Sequence, residues 1–487
     1  MNKSIKQSGI LLHPTALPGP YGIGELGTQV YKFIDMLEKM GQTLWQVLPL
    51  GPTDDTFSPY SSSSAFAGNP YLISIELLLE YDLIEYADIK TINFSDKHID
   101  TKKIDSFKMN LLFIASNNFL QKIDTDLYKE YEMFCKENSY WLDDYAHYSA
   151  MKINNKGLSW NKWQNFTVKN DQIESVIKVI QFLFDFNWKK IRSYAKDKGI
   201  QIIGDMPIYV SYDSCDVWSN RELFKLDVDG NMLYEAGCPP CDYNIDGQHW
   251  GMPVYNWDKH MDSDFEWWKN RFKRMFSMLD IIRIDHFIGF SRYYSIPINH
   301  TAKDGFWSDS PGDKLLSALS IDLNSYDIFA EDLGDITQDV IDLRDKFELP
   351  GIRVLQFDLN DIVLNNDYSS KTVLYTGTHD NDTLVGWLES LNHKQKKIVF
   401  DKFSAKDTHW KLIEFAMSRV CDRVIIPLQD ILGLGSRYRF NTPGLLSEKN
   451  WVWRFNFEDI TDSMINSMKE ITENSNRVSY INKGIIS

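Results

Sequence analysis

Eight short apolar runs, each closed by polar residues and many followed by a helical pattern, constrain this chain more than any other feature. They lie at Ile10–His13, Thr43–Pro49, Gln201–Met206, Leu279–Asp285, Asp327–Asp332, Ile352–Phe357, Thr372–Thr376 and Arg423–Pro427. Their length and β-branched content read as strands. Between the first two, Val30, Phe33, Ile34 and Leu37 fall at i, i+3, i+4 and i+7, and Gly41 follows where a helix would end. Strands alternating with helices imply a parallel sheet. Eight such units predict an α/β fold of the (β/α)8 barrel type, with its site at the C-terminal ends of the strands.

The spacing is uneven, so the barrel is expected to carry insertions. Roughly 150 residues separate the second and third strands, far more than an ordinary crossover needs. Residues 70–190 are therefore expected to form an inserted, partly helical subdomain; the Lys/Asp-rich stretch from Leu77 to Lys190 is its clearest part. Residues 211–264 read as a second insertion, with hairpin-like segments and an Asp229-Gly230 turn. The whole chain, 1–487, is expected to be one catalytic barrel.

Composition excludes several classes. The net charge of −16 is the wrong sign for gripping phosphates, so no nucleic-acid partner is expected. No run approaches the ~18 apolar residues of a membrane span, so no membrane partner is expected. The N-terminal residues lack an apolar signal core, and five cysteines are too few and odd in number for a secreted disulfide framework. A cytoplasmic enzyme acting on a neutral substrate is the expectation. The 24 Tyr and 15 Trp could offer flat platforms for sugar rings, although most must serve the core.

Three strand ends carry acids. Arg283-Ile-Asp-His closes the fourth strand, Ala330-Glu-Asp-Leu-Gly the fifth, and Gly377-Thr-His-Asp-Asn-Asp-Thr the seventh. Each acid follows an apolar run, where a buried carboxylate is costly without a partner. Arg283 and Asp285 are two apart and so share a side of their strand. A guanidinium there would keep Asp285 ionised, as a nucleophile requires. Any one of these acids could equally cap a helix or form a structural ion pair. Three on one rim favour a site with paired carboxyls, one attacking a sugar and one protonating the leaving oxygen.

The chain resembles the amylomaltase family of 4-α-glucanotransferases, also called disproportionating enzymes, nearly end to end. The resemblance is carried by Leu17-Pro-Gly-Pro-Tyr-Gly-Ile-Gly, Trp45-Gln-Val-Leu-Pro-Leu, Ser58-Pro-Tyr-Ser-Ser, Gly204-Asp-Met-Pro-Ile and Asp216-Val-Trp. The three acid motifs, Pro427-Leu-Gln-Asp-Ile-Leu-Gly-Leu-Gly and Asn441-Thr-Pro-Gly extend it. It implies a retaining transfer of α-1,4-glucan segments between a maltooligosaccharide donor and acceptor, without metal or organic cofactor. By motif position it makes Asp285 the nucleophile, Glu331 the general acid/base and Asp380 the stabiliser of the transition state. Arg283, His379, Asp205, Tyr60, Trp250 and Asn381 would bind or orient the substrate. An α-glucan hydrolase on the same barrel is the alternative, because water and a sugar hydroxyl attack the same intermediate.

Departures concentrate in one loop. The family's Gly-Val-Pro-Pro-Asp-Tyr-Phe-Ser…Gly-Gln-Leu-Trp-Gly-Asn-Pro reads here Gly-Cys-Pro-Pro-Cys-Asp-Tyr-Asn…Gly-Gln-His-Trp-Gly-Met-Pro over 237–253. Ile288 also stands where Arg is common. These put acceptor preference and product size in question. Cys238-Pro-Pro-Cys241 has redox spacing but no thioredoxin-like context and no second pair for zinc. Two loop thiols are the expectation, with reversible oxidation the alternative. Gly22-Ile-Gly-Glu-Leu-Gly27 is no dinucleotide fingerprint, since prolines rather than a strand precede it. Asp227-Val-Asp229-Gly lacks the first and twelfth ligands of a calcium loop, where Lys225 and Ala236 stand. His13 and His249 are read as ordinary structural residues.

Overall fold

The computed structural model describes residues 6–164, 170–240, 245–323, 326–357, 359, 362 and 367–477. Its strands, in chain order, are β1 Gln7–Leu11, β2 Leu44–Gln46, β3 Gln201–Met206, β4 Tyr234–Cys238, β5 Gln248–Pro253 and β6 Ile281–Ile284. They continue with β7 Arg292–Pro297, β8 Phe306–Asp309, β9 Asp327–Ala330, β10 Gly351–Val354, β11 Thr372–Tyr375 and β12 Arg423–Pro427. Strands β1, β2, β3, β6, β9, β10, β11 and β12 close a barrel in that order. Every ladder in it is parallel, including the β12–β1 closure, where Gln7 pairs Arg423 and Leu11 pairs Pro427.

The eight apolar runs are these eight barrel strands. Apart from exposed Gln201 and Arg353, their residues are buried or partly buried on both faces, which is why they read as continuous apolar runs rather than alternations. Ile281 to Ile284 are all buried. The helix Thr28–Lys39 carries the expected stripe, with Val30, Phe33, Ile34 and Leu37 buried. Gly41 follows it at φ +73°, a conformation glycine adopts without a Cβ penalty. Trp45 of β2 ties the barrel to this layer. Its indole N–H donates to the Leu12 carbonyl (2.8 Å), and its ring packs edge-on against Phe33.

Strand ends differ from the sequence reading by a few residues. The ladder between β6 and β9 stops at Ile284 and Ala330, so Asp285 and Glu331 lie one step beyond it. Their amides still continue the barrel's ladders: Glu331 N–H donates to Ile284 O (2.9 Å) along β6–β9, and Asp285 N–H to Met206 O (3.0 Å) along β3–β6. The first strand begins earlier than its apolar run, at Gln7, because Ser8 and Gly9 are small enough to be buried without being apolar. Leu355–Phe357 leaves the β10 extension as a short 3-10 turn.

Between β2 and β3 the chain forms the helices Ile75–Glu80, Thr101–Phe119, Asp126–Glu137, Ser139–Asn154 and Asp171–Asp197. A buried ion pair, Lys108 with Glu25, joins them to the β1–β2 connection. A four-stranded antiparallel sheet, ordered β5-β4-β7-β8, stands beside the barrel. Its first hairpin comes from the β3–β6 connection and its second from the β6–β9 connection. The Asp229-Gly230 turn is present, with Leu226 bridging Met232 and Gly230 at φ +87°. Cys241 lies outside the described residues, so the Cys238–Cys241 spacing has no structural account. Among the described residues, no helix is long and apolar enough to cross a membrane.

Candidate active site

The site is built at the C-terminal mouth of the barrel, because that is where the polar residues closing the strands converge. Asp205 on β3 and Arg283 on β6 are register partners. Partners in a parallel ladder present their side chains on one face, and Arg283 shares that face with Asp285 two residues on. The three groups meet there. Arg283 Nη1 donates to Asp205 Oδ1 (2.6 Å) and Oδ2 (2.8 Å), and to Asp285 Oδ1 (2.7 Å).

Glu331 stands beside Asp285 on the neighbouring strand, one step past the Ile284–Ala330 pair. Its Oε2 accepts from the His286 N–H (2.7 Å) and its Oε1 from the Leu333 N–H (3.0 Å). His286 can reach it because its backbone is left-handed, at φ +50°. Such strain costs a non-glycine residue of order 1 kcal/mol and recurs at functional sites.

The loop after β11 brings His379 and Asp380. His379 Nε2 lies 3.2 Å from Asp380 Oδ2, and Asn441 Nδ2 donates to Asp380 Oδ1 (2.6 Å). Tyr60, from the loop after β2, stacks on His379 with ring centres 5.0 Å apart and donates its hydroxyl to Asp205 Oδ2 (2.7 Å). Across the mouth, Trp250 of β5 meets His286 edge-to-face at 4.9 Å.

These groups surround a cleft of about 1160 Å³ whose walls include Tyr60, Trp250, Asp285, Glu331, His379 and Asp380. Arg283 and Asp205 sit behind it, both buried. Asn381 is not on the cleft wall: its Oδ1 accepts from the Thr378 N–H and hydroxyl (both 2.8 Å), which shapes the loop that presents Asp380. Among the described residues, no group of three or more His, Cys, Asp or Glu is arranged to hold a metal ion.

A sequence profile described as 4-alpha-glucanotransferase matches residues 12–460. The chain belongs to the 4-α-glucanotransferase family. It is 39% identical to the 4-alpha-glucanotransferase of Synechocystis sp., over 96% of this chain and 97% of that one. It is 40% identical to that of Aquifex aeolicus, over 94% and 96%. Among solved structures, it matches an amylomaltase from Streptococcus agalactiae in complex with acarbose, with a TM-score of 0.92 and 36% identity. That match covers 97% of this chain and 100% of the other.

In this 4-α-glucanotransferase family enzyme Glu331 and Asp380 sit in different electrostatic settings. Burial pushes the Glu331 carboxyl up to about 7; Arg283 pulls against this and Asp285 adds to it. Burial also works to raise Asp380, but His379, Asn441 and Arg283 outweigh it and hold Asp380 down at about 2. His379 is correspondingly raised: burial opposes its charge, and Asp380 more than restores it. Arg283 stays charged, since the two aspartates overcome the cost of its burial.

Several site residues were missed from the sequence. Asn441 belongs to a motif that carries the family resemblance, but its bond to Asp380 is a contact across 61 residues that no spacing reveals. His286 directly follows Asp285, yet only the backbone angle shows why it matters. Trp451, tilted against Tyr60 at 5.8 Å, carried no local signal at all. His249, read as structural, is half-exposed on the cleft wall and lies 2.7 Å from Glu235.

Proposed function

We propose that this enzyme transfers α-1,4-glucan segments from one maltooligosaccharide to another by a retaining, two-step mechanism. Asp285 attacks the anomeric carbon of the donor. With its Oδ1 held by Arg283, attack falls to Oδ2. Glu331 gives its proton to the departing glycosidic oxygen, and the shortened glucan leaves. In the second step an acceptor 4-hydroxyl passes its proton to Glu331, and its oxygen displaces Asp285 from the anomeric carbon. Asp380, kept ionised, grips the hydroxyls of the donor sugar and stabilises the positive charge that develops on the ring.

The observation that carries this reading is the placement of Asp285 and Glu331 at the next rung of one parallel ladder. Neighbouring strands lie ~4.8 Å apart, close to the ~5–5.5 Å carboxyl separation of retaining enzymes. An inverting pair needs room for a water between the carboxyls. The raised Glu331 beside an Arg-held Asp285 supports the same division of labour.

Tyr60, His379 and Trp250 would line the glucan path, while Arg283 and Asp205 orient the nucleophile from behind. In this reading the chain is a single catalytic barrel. Residues 70–190 form a helical insertion, and 211–264 form a second one that carries the active-site loop. A cytoplasmic location belongs to the same reading, because the few scattered cysteines suit a reducing compartment.

The test is to trap the intermediate. Glu331→Gln with α-maltotriosyl fluoride should form a glycosyl-enzyme, since fluoride leaves without a proton while the second step lacks its base. Mass spectrometry should find the added mass on the peptide containing Asp285. No adduct together with inverted product would overturn the two-step mechanism. Near-normal turnover by Asp285→Asn would overturn the nucleophile.

A further inference from the structure

The hairpin that presents Trp250 contains an irregularity whose partner is a partly buried acid. On β4 and β5, Cys238 pairs Gln248 and Gly237 pairs His249, but Glu235 pairs Pro253. Trp250, Gly251 and Met252 therefore stand opposite Ala236 alone. Such a bulge takes side chains out of the ladder and re-aims them. It also frees backbone amides that the ladder would otherwise pair.

The Glu235 carboxylate fills that gap. Its Oε2 accepts from the Gly251 N–H (2.9 Å), and its Oε1 lies 2.7 Å from His249 Nδ1. The Glu235 side chain is 14% exposed and that of His249 41%, so the acid braces the loop from within. Gly251 has φ +65°, which only glycine takes without strain. Both residues flanking Trp250 are thus held by one carboxylate. Trp250 in turn packs on His286, whose N–H donates to Glu331.

We propose that Glu235 is a positioning residue for acceptor capture: its carboxylate fixes the bulge so that Trp250 covers the mouth beside the acid pair. This rests on the transfer reading above. Losing the brace lets the loop move, which admits water to the glycosyl-enzyme and weakens the grip on an acceptor sugar. Donor cleavage depends on Asp285 and Glu331 themselves and suffers less. His249, where the family segment carries Leu, adds the second bond, and its loss has the smaller effect.

The experiment compares wild type, Glu235→Gln, Glu235→Ala, Trp250→Ala and the double variant Glu235→Ala/Trp250→Ala, with folding checked by circular dichroism. Transfer from maltotriose to labelled glucose and release of reducing ends are measured on each. Glu235→Ala should raise the acceptor KM roughly tenfold, as expected for a misplaced positioning group, and raise the hydrolysed share of turnovers. Glu235→Gln, near-isosteric but able to accept only through one oxygen, should lie between. His249→Leu should lie closer to wild type. The double variant should match Trp250→Ala alone, because both act through one ring. Wild-type acceptor KM in folded Glu235→Ala, or additive effects in the double variant, would overturn the proposal. Failure of the wild type to transfer would instead overturn the functional reading on which it rests.

Discussion

Asp205 and Arg283 face each other across the β3–β6 ladder, and a single nitrogen of Arg283 binds both oxygens of Asp205 and one of Asp285. The nucleophile of the proposed mechanism is thereby oriented from the strand next to its own. Three charged groups share one buried junction, two of them almost without exposure: 5% for the Arg283 side chain and 0% for Asp205. Their attraction is weakly screened there, and each depends on the others remaining in place.

Arg283→Lys should therefore cost more than a conserved charge suggests. An ammonium lacks the planar fork and cannot sit in the same place against both carboxylates. We expect turnover on maltotriose to fall by about 10²-fold or more, as misplacing a reacting group does. Urea unfolding should show a loss of about 1–3 kcal/mol from the imperfectly paired carboxylates. A variant within twofold of wild-type turnover would show that orientation of Asp285 does not depend on the guanidinium.

The pH dependence follows from Glu331. It must be protonated to serve the first step, and its carboxyl is raised to about 7. Donor kcat/KM should then decline above pH 7 as that proton is lost from the free enzyme. Asp380, held at about 2, stays ionised throughout this range and adds no limb. With α-maltotriosyl fluoride as donor, glycosylation needs no proton from Glu331. The single-turnover rate of that step should lose the alkaline decline. Persistence of the same decline with the fluoride would assign it to another group.

Acid stability should depend on buried histidines. His260 lies among the rings of Tyr255, Trp257, Trp267 and Trp268, and burial lowers it to about 4 against a weaker opposing contact with Leu223. Its ordinary value in the unfolded chain is near 6.5. Between these two values the unfolded state takes up a proton that the folded state refuses, so stability falls as pH drops from about 6.5 to 4. The effect approaches about 3 kcal/mol for this group. His13, lowered to about 3, and His286, lowered to about 4, act in the same direction. Unfolding free energies at pH 7, 5.5 and 4.5 should show a shallower slope in His260→Leu than in wild type. Parallel slopes would mean that His260 is protonated in the fold.

The barrel was legible because its strands are buried on both faces. Ile281 to Ile284 and Val424 to Ile426 stand out as apolar runs against any background. Arg283 and Asp285 could be placed together because two residues is one strand period, and the 2.7 Å bond between them meets that expectation. Asp205 entered through a motif, not through its geometry. Its pairing with Arg283 is a register fact, and register between strands 78 residues apart leaves no local trace. The same limit hid Asn441 behind Asp380 and Glu235 behind Gly251. The latter exists only because the ladder shifts between Glu235 and Gly237, a backbone event without a composition signature.

Transfer rather than hydrolysis is the central claim, and maltotriose tests it most directly. Water far outnumbers any acceptor, so transfer requires a site that excludes it and holds an incoming sugar hydroxyl near Glu331. Incubation of the purified enzyme with maltotriose alone, followed by separation of products by chain length and assay of reducing ends, measures both outcomes at once. The account predicts a ladder of longer and shorter maltooligosaccharides with glucose, while the number of reducing ends stays nearly constant. Reducing ends rising as fast as donor is consumed, without chains longer than the donor, would contradict it and make the enzyme a hydrolase.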